Sequence, residues 1–110
     1  MKSVIDRRLI SLKPQVAQQI FVRGGINCDK VEISFRYNKL RRPLQITVRF
    51  ADADGRRLDI PVYLSEDGFT KVIPEVGDFF PSNNFGFIEF ISPIDFHMEV
   101  WVEEDDSSFF

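Results

Sequence analysis

Few residues in this chain are of a type that could do chemistry, and their spacing decides against most of it. The single histidine, His97, has no serine or cysteine at a recognisable nucleophile–base spacing. One cysteine, Cys28, can form no intramolecular disulfide and is too few for a zinc site, so it reads as a small, partly buried thiol in a reducing compartment. The carboxylates Asp52, Asp54, Glu66, Asp67 and Asp78 all fall in turn-like segments, where Asp is a default occupant. Asp52-x-Asp54-Gly55 begins like a calcium loop but lacks the remaining ligands and the closing Glu. With no positioned nucleophile, no acid–base pair and no glycine-rich phosphate loop, the sequence predicts no enzyme, no metal and no cofactor.

Binding chemistry is better represented. A basic set comprises Arg7, Arg8, Arg23, Arg36, Lys39, Arg41, Arg42, Arg49, Arg56 and Arg57. A basic sheet face with exposed rings would suit single-stranded nucleic acid, where phosphates meet cations and bases stack. Here, however, Phe35, Tyr37 and Phe50 share the phase of Val and Ile and are expected to point inward. The segment Phe79-Phe80-Pro81-Ser82-Asn83-Asn84-Phe85 sets rings beside amides, which is the chemistry of a sugar-binding or protein-contact patch. Its plainer reading is that Phe79 and Phe80 plug one end of the fold. The terminal Glu103-Glu-Asp-Asp-Ser-Ser-Phe-Phe110 places four carboxylates before two rings. Burying each ring against a partner would gain about 1.5–3 kcal/mol.

The elements that must position these groups are strands. Val31 to Tyr37, Leu44 to Phe50 and Leu58 to Leu64 alternate apolar and polar with period two. Asp52-Ala-Asp-Gly55 supplies the turn of a hairpin over 44–64, and Pro61 predicts an edge strand or a bulge. Further strands are expected at 69–73, at 85–91 (central or covered) and at 96–102. Residues 1–22 are expected as an N-terminal arm or as edge strands, 23–102 as the core, and 103–110 as an acidic, Phe-ended tail. With 110 residues and 12.8 kDa the chain makes one domain. The pattern predicts an all-β antiparallel sandwich or jelly roll with an extended N-terminal arm and an acidic tail, a small barrel being second choice. No apolar run reaches signal-peptide or membrane-span length, which predicts a cytoplasmic protein without membrane contact.

The net charge of −3 conceals a division. Residues 1–57 carry thirteen Lys and Arg against five Asp and Glu, whereas 58–110 carry one against twelve, giving +8 and −11. If the halves separate in space, one molecule's acidic surface complements another's basic surface, which favours ordered assembly. The alternative is that the charges pair across strands once folded.

Two resemblances bear on function. Acidic residues followed by a terminal Phe resemble the protein-recruiting tail of single-stranded-DNA-binding proteins, although the proline usual before the last Phe is missing. In length, all-β make-up and terminal arms, the whole chain resembles the small jelly-roll decoration (cement or staple) proteins of tailed-bacteriophage capsids, with no diagnostic motif. That resemblance implies a non-enzymatic structural protein of the virion, assembled in the host cytoplasm. Its partners would be the major capsid protein and copies of itself. The contact residues expected are Ile5, Arg7, Arg8, Leu9 and Ile10 in the arm, Phe79 and Phe80 in the aromatic loop, and Asp105, Asp106, Phe109 and Phe110 in the tail. Single-stranded DNA and carbohydrate are the alternative ligands.

Overall fold

A computed structural model describes residues 2–77, 79–80 and 83–105 (backbone alone at 23 and 24). Eight strands follow in order: β1 (Lys2–Leu12), β2 (Gln18–Asn27), β3 (Val31–Arg36), β4 (Leu44–Ala51), β5 (Arg57–Leu64), β6 (Phe69–Val72), β7 (Asn84–Ile91) and β8 (Phe96–Asp105). They form two four-stranded sheets of order β1-β8-β3-β6 and β2-β7-β4-β5, here sheet 1 and sheet 2. Every strand pair in them is antiparallel. That order is the jelly roll, in which two Greek keys share the same two sheets.

Period-two alternation places one face of each strand between the sheets. Ile33, Phe35, Val48, Phe50, Ile88, Phe90, Val100 and Val102 are all essentially inaccessible there. Rings pack across and along the layers: Phe35 of sheet 1 meets Phe90 of sheet 2 edge-on at 5.9 Å, and within sheet 2 Phe50 meets Phe85 at 5.0 Å. Pro61, opposite Thr47, lies on the edge strand β5, where its missing N–H costs no ladder bond. Strand β7 is central, between β2 and β4. The turn at 65–68 requires its glycine: Gly68 has φ +95°, and a Cβ there would stand 2.8 Å from the Tyr37 carbonyl oxygen.

The terminal segments differ from an arm and a free tail. Residues 2–12 are β1, paired with β8 from Lys2↔Asp105 to Leu12↔Phe96. Ile10 and Leu12 face Met98 and Phe96 and enter the core, so this stretch is an edge strand. A strand of such length with two core side chains gains more by pairing than by staying solvated. At the other end β8 runs through Asp105, so Glu103, Glu104 and Asp105 belong to the sheet. The Asp105 amide donates to the Lys30 carbonyl (2.8 Å), and Glu104 accepts from the Asn27 amide (3.3 Å). Asp106, Phe109 and Phe110 lie outside the described residues.

Removing residues 1–12 should therefore unfold the domain. Ile10 and Leu12 together contribute about 3–6 kcal/mol of burial, a large share of the roughly 5–15 kcal/mol typical of a domain. Urea denaturation followed by circular dichroism checks this, and an unchanged midpoint would show that β1 is dispensable. Leu12→Ala alone should cost about 2–5 kcal/mol.

Candidate functional site

Of the two arrangements open to the charges, the fold takes cross-strand pairing. In both sheets each strand from β1–β4 has only strands from β5–β8 beside it, so the basic and acidic halves interleave. Ion pairs follow: Arg7–Glu99 at 2.8 Å, Arg49–Asp59 at 2.7 Å, Arg49–Glu89 at 3.1 Å and Lys71–Glu32 at 3.0 Å all join the two halves. The charge division is thus met within the molecule and gives no argument for assembly.

The outer side of sheet 1 is crossed by cation–ring and ion-pair contacts. The Trp101 ring is flanked by the guanidinium groups of Arg36, 4.0 Å from its centroid, and Arg7, at 4.8 Å. Each such contact is worth about 0.5–2 kcal/mol according to its desolvation. Glu32 is buried on this face and takes two ammonium groups, Lys2 and Lys71, each at 3.0 Å. The Lys2 hydrogen bond, followed by that from Lys71, holds its carboxyl below the usual range, with burial acting in the opposite direction.

Sheet 2 presents a more open face. A cross-strand row runs Gln19, Glu89, Arg49, Asp59 over β2, β7, β4 and β5. Arg49 forks onto both oxygens of Asp59 (2.7 and 3.1 Å) and reaches Glu89 with Nη1, and Gln19 donates to Glu89 (3.2 Å). The adjacent row holds Phe21 opposite Phe87, with ring centroids 5.1 Å apart and Phe21 56% exposed. Two shallow depressions meet at Phe87. One, of about 310 Å³, also has Phe21, Gly25, Asp54, Asn84 and Gly86 in its lining. The other, of about 180 Å³, also has Gln19, Ala51, Gly55, Arg57 and Glu89. Gly25, with φ +78°, lets Asn84 close under the backbone, where a Cβ would stand 2.5 Å from Oδ1. The turn between β4 and β5 is fixed by Asp52, whose Oδ1 accepts from the amides of Asp54 (3.0 Å) and Arg56 (2.9 Å).

The residues expected to make contacts are divided by the fold. Ile10 and Phe80 are core, 8% and 1% exposed, and are unavailable to a partner: Ile10 faces inward on β1, and Phe80 packs on Phe79 and Phe85. Arg7 and Arg8 are ion-paired to Glu99 and Asp6. Ile5, Leu9 and Phe79 remain exposed. Phe35, Tyr37 and Phe50 do face inward or pack on the core. Cys28 is buried, and burial followed by the Asp29 charge pushes its thiol up. His97 does meet a hydroxyl, Ser11 Oγ at 2.9 Å, through the β1–β8 register rather than through sequence spacing. Among the described residues no group of three His, Cys, Asp or Glu is placed to hold a metal. Phe21 and Phe87 escape a reading by segment; the signal is phase, since each is a ring on the solvent parity between core residues.

These features define an eight-stranded jelly-roll domain whose two outer faces differ in the partners of their charged side chains. No protein-family model and no curated protein matches the chain. Among solved structures it is similar to part of Pseudomonas aeruginosa AlgX, with a TM-score of 0.67 at 12% identity, covering 94% of this chain and 27% of AlgX. That likeness is one of fold, shared with about a quarter of the longer protein's length. It gives the capsid resemblance no support.

The Glu32 cluster makes a pH prediction. A carboxyl whose folded-state pKa is depressed adds stability above its unfolded pKa, and that stability is lost as pH falls through the folded value. Glu32→Gln should be less stable than the parent at pH 7 by about 1 kcal/mol, with the gap closing in acid below the usual carboxylate range. Urea midpoints measured from pH 7 down to pH 3 test the sign.

Proposed function

We propose that this domain is a non-catalytic glycan-binding module that holds sugar on the outer face of sheet 2, across Phe87. The observation that carries the reading is the Phe21–Phe87 pair, with two shallow, mainly apolar depressions meeting at Phe87 and polar side chains at their margins. Sugar rings have apolar C–H faces that pack on aromatic rings, and equatorial hydroxyls that exchange hydrogen bonds with planar amide, carboxylate and guanidinium groups. The row Gln19–Glu89–Arg49–Asp59 supplies such groups already fixed by mutual bonds, which lowers the cost of ordering them on binding. Jelly rolls serve lectins and viral capsids alike, so the face, rather than the fold, decides between them.

One observation favours the structural alternative, a contact protein of a capsid or other multi-subunit shell. Strand β1 is an eleven-residue sheet edge with Val4, Ile5 and Leu9 exposed, and such an edge can accept a strand from a shell subunit or a second copy. Co-sedimentation with a large particle, lost on Leu9→Lys, would favour that reading.

The glycan reading is tested by titrating a panel of neutral and acidic oligosaccharides into labelled protein. Amide shifts should gather at Gln19, Phe21, Phe87 and Glu89. Phe21→Ala should weaken binding about tenfold, equivalent to about 1.4 kcal/mol. Because the ring is exposed, stability should move by no more than about 0.5 kcal/mol. A panel that shifts nothing on this face would overturn the proposal.

A further inference from the structure

The opposite sheet carries a second feature, independent of the glycan face. Strand β3 stops at Arg36, opposite Glu99, while β8 continues back to Phe96 beside β1. Where the third strand is missing, a depression of about 520 Å³ opens, with Leu9, Ser11, Arg36, Asn38, His97 and Glu99 in its lining. We propose that this notch binds a phosphate group.

Arg36 is the cation in the lining of the notch. Glu99 stands opposite it in the ladder but is taken by Arg7 at 2.8 Å. Among the described residues no carboxylate pairs with Arg36, and its buried Nη1 has no hydrogen-bond partner. Its guanidinium is instead held over the rings of Trp101 (4.0 Å) and Phe69 (5.5 Å). Stacking fixes the plane of the group and leaves the in-plane N–H donors to be satisfied; an orphaned buried donor calls for an ion or water that completes it. The Ser11–His97 hydrogen bond adds a donor in either tautomer. When Ser11 donates to Nδ1, the ring carries its proton on Nε2; when Nδ1 donates, the serine hydroxyl hydrogen is free to turn outward. The Asn38 amide is exposed at the mouth.

Donors therefore come from β1 and β8, from the end of β3 and from the loop after it. That spread suits a tetrahedral oxyanion; a planar carboxylate would be satisfied by the guanidinium fork alone. Glu99, the acidic wall, is ion-paired to Arg7 and also feels the charge of Arg36, so Arg36 is the cation of the notch that has no salt bridge of its own among the described residues. The depression is larger than a phosphate ion, and Leu9, 85% exposed, offers an apolar wall to the organic part of a monoester.

The chain's one tryptophan, Trp101, stacks on Arg36 and reports occupancy by its fluorescence. Inorganic phosphate and phenyl phosphate are titrated separately, with sodium chloride at matched ionic strength as the control. A saturable signal from either phosphate beyond chloride, with amide shifts at Ser11, Asn38 and His97, is the expected result. The tighter of the two names the source, free ion or monoester. Arg36→Met should weaken binding at least tenfold. Asn38→Asp, at an exposed position that leaves the fold intact, should do the same by placing a carboxylate at the mouth. A response no greater than with chloride, or affinity unchanged in the Asn38→Asp protein, would overturn the assignment.

Discussion

Everything in this molecule follows from one constraint: no strand of the first half pairs with another strand of the first half. β1 and β3 close on β8, and β2 and β4 close on β7, with β5 and β6 completing the edges. Lys2 and Asp105 are partners across almost the whole described chain. Because cations crowd the first half and carboxylates the second, this topology converts a lopsided sequence into a surface of cross-strand pairs. Exposed pairs of this kind are worth only about 0–1 kcal/mol each. Their larger effect is on register, since a slip of one residue would set Arg49 opposite apolar residues of β5 and β7 in place of Asp59 and Glu89 and turn the core residues outward.

The same constraint explains what was legible in the sequence. Alternation within a strand is a local property, so the bodies of β3, β4 and β5, the Asp52–Gly55 turn and the edge position of Pro61 could all be read directly. Pairing between strands is not local. Nothing in residues 2–12 alone says that they will meet residues 96–105, and a stretch with apolar clusters among cations reads equally well as an arm or as an edge. The end of β8 was misplaced for a related reason. A run of four carboxylates looks self-repelling until Lys2 and the backbone of Lys30 are brought beside it by the fold.

Candidate binding residues were obscured by the habit of assigning phenylalanine to the core. Half of the twelve do go there: Phe35, Phe50, Phe80, Phe85, Phe90 and Phe96. Phe21 and Phe87 break the phase of their strands, and only the β2–β7 register shows that the two breaks coincide. A single exposed ring on a soluble domain is ordinary. An exposed ring that meets a half-buried one at 5.1 Å, with a depression on either side of Phe87, forms a surface with a shape.

The two faces also differ in how their cations are used, and this separates their chemistry. On sheet 2 Arg49 is saturated by Asp59 and Glu89, with three hydrogen bonds inside the row. Arg57, exposed at the edge of the same face, is its one cation outside that row among the described residues, so the face suits a ligand recognised through shape and hydroxyl exchange more than through charge. On sheet 1 Arg7 and Arg36 lie against Trp101, and of these two only Arg7 also forms a salt bridge. An aromatic face attracts a guanidinium through its quadrupole without neutralising it. Arg36 therefore keeps a full charge at the point where β3 ends and the sheet opens. The ladder itself thus sorts the molecule into a neutral recognition face and a cationic notch, and it does so by the choice of carboxylate or ring as the neighbour of each arginine.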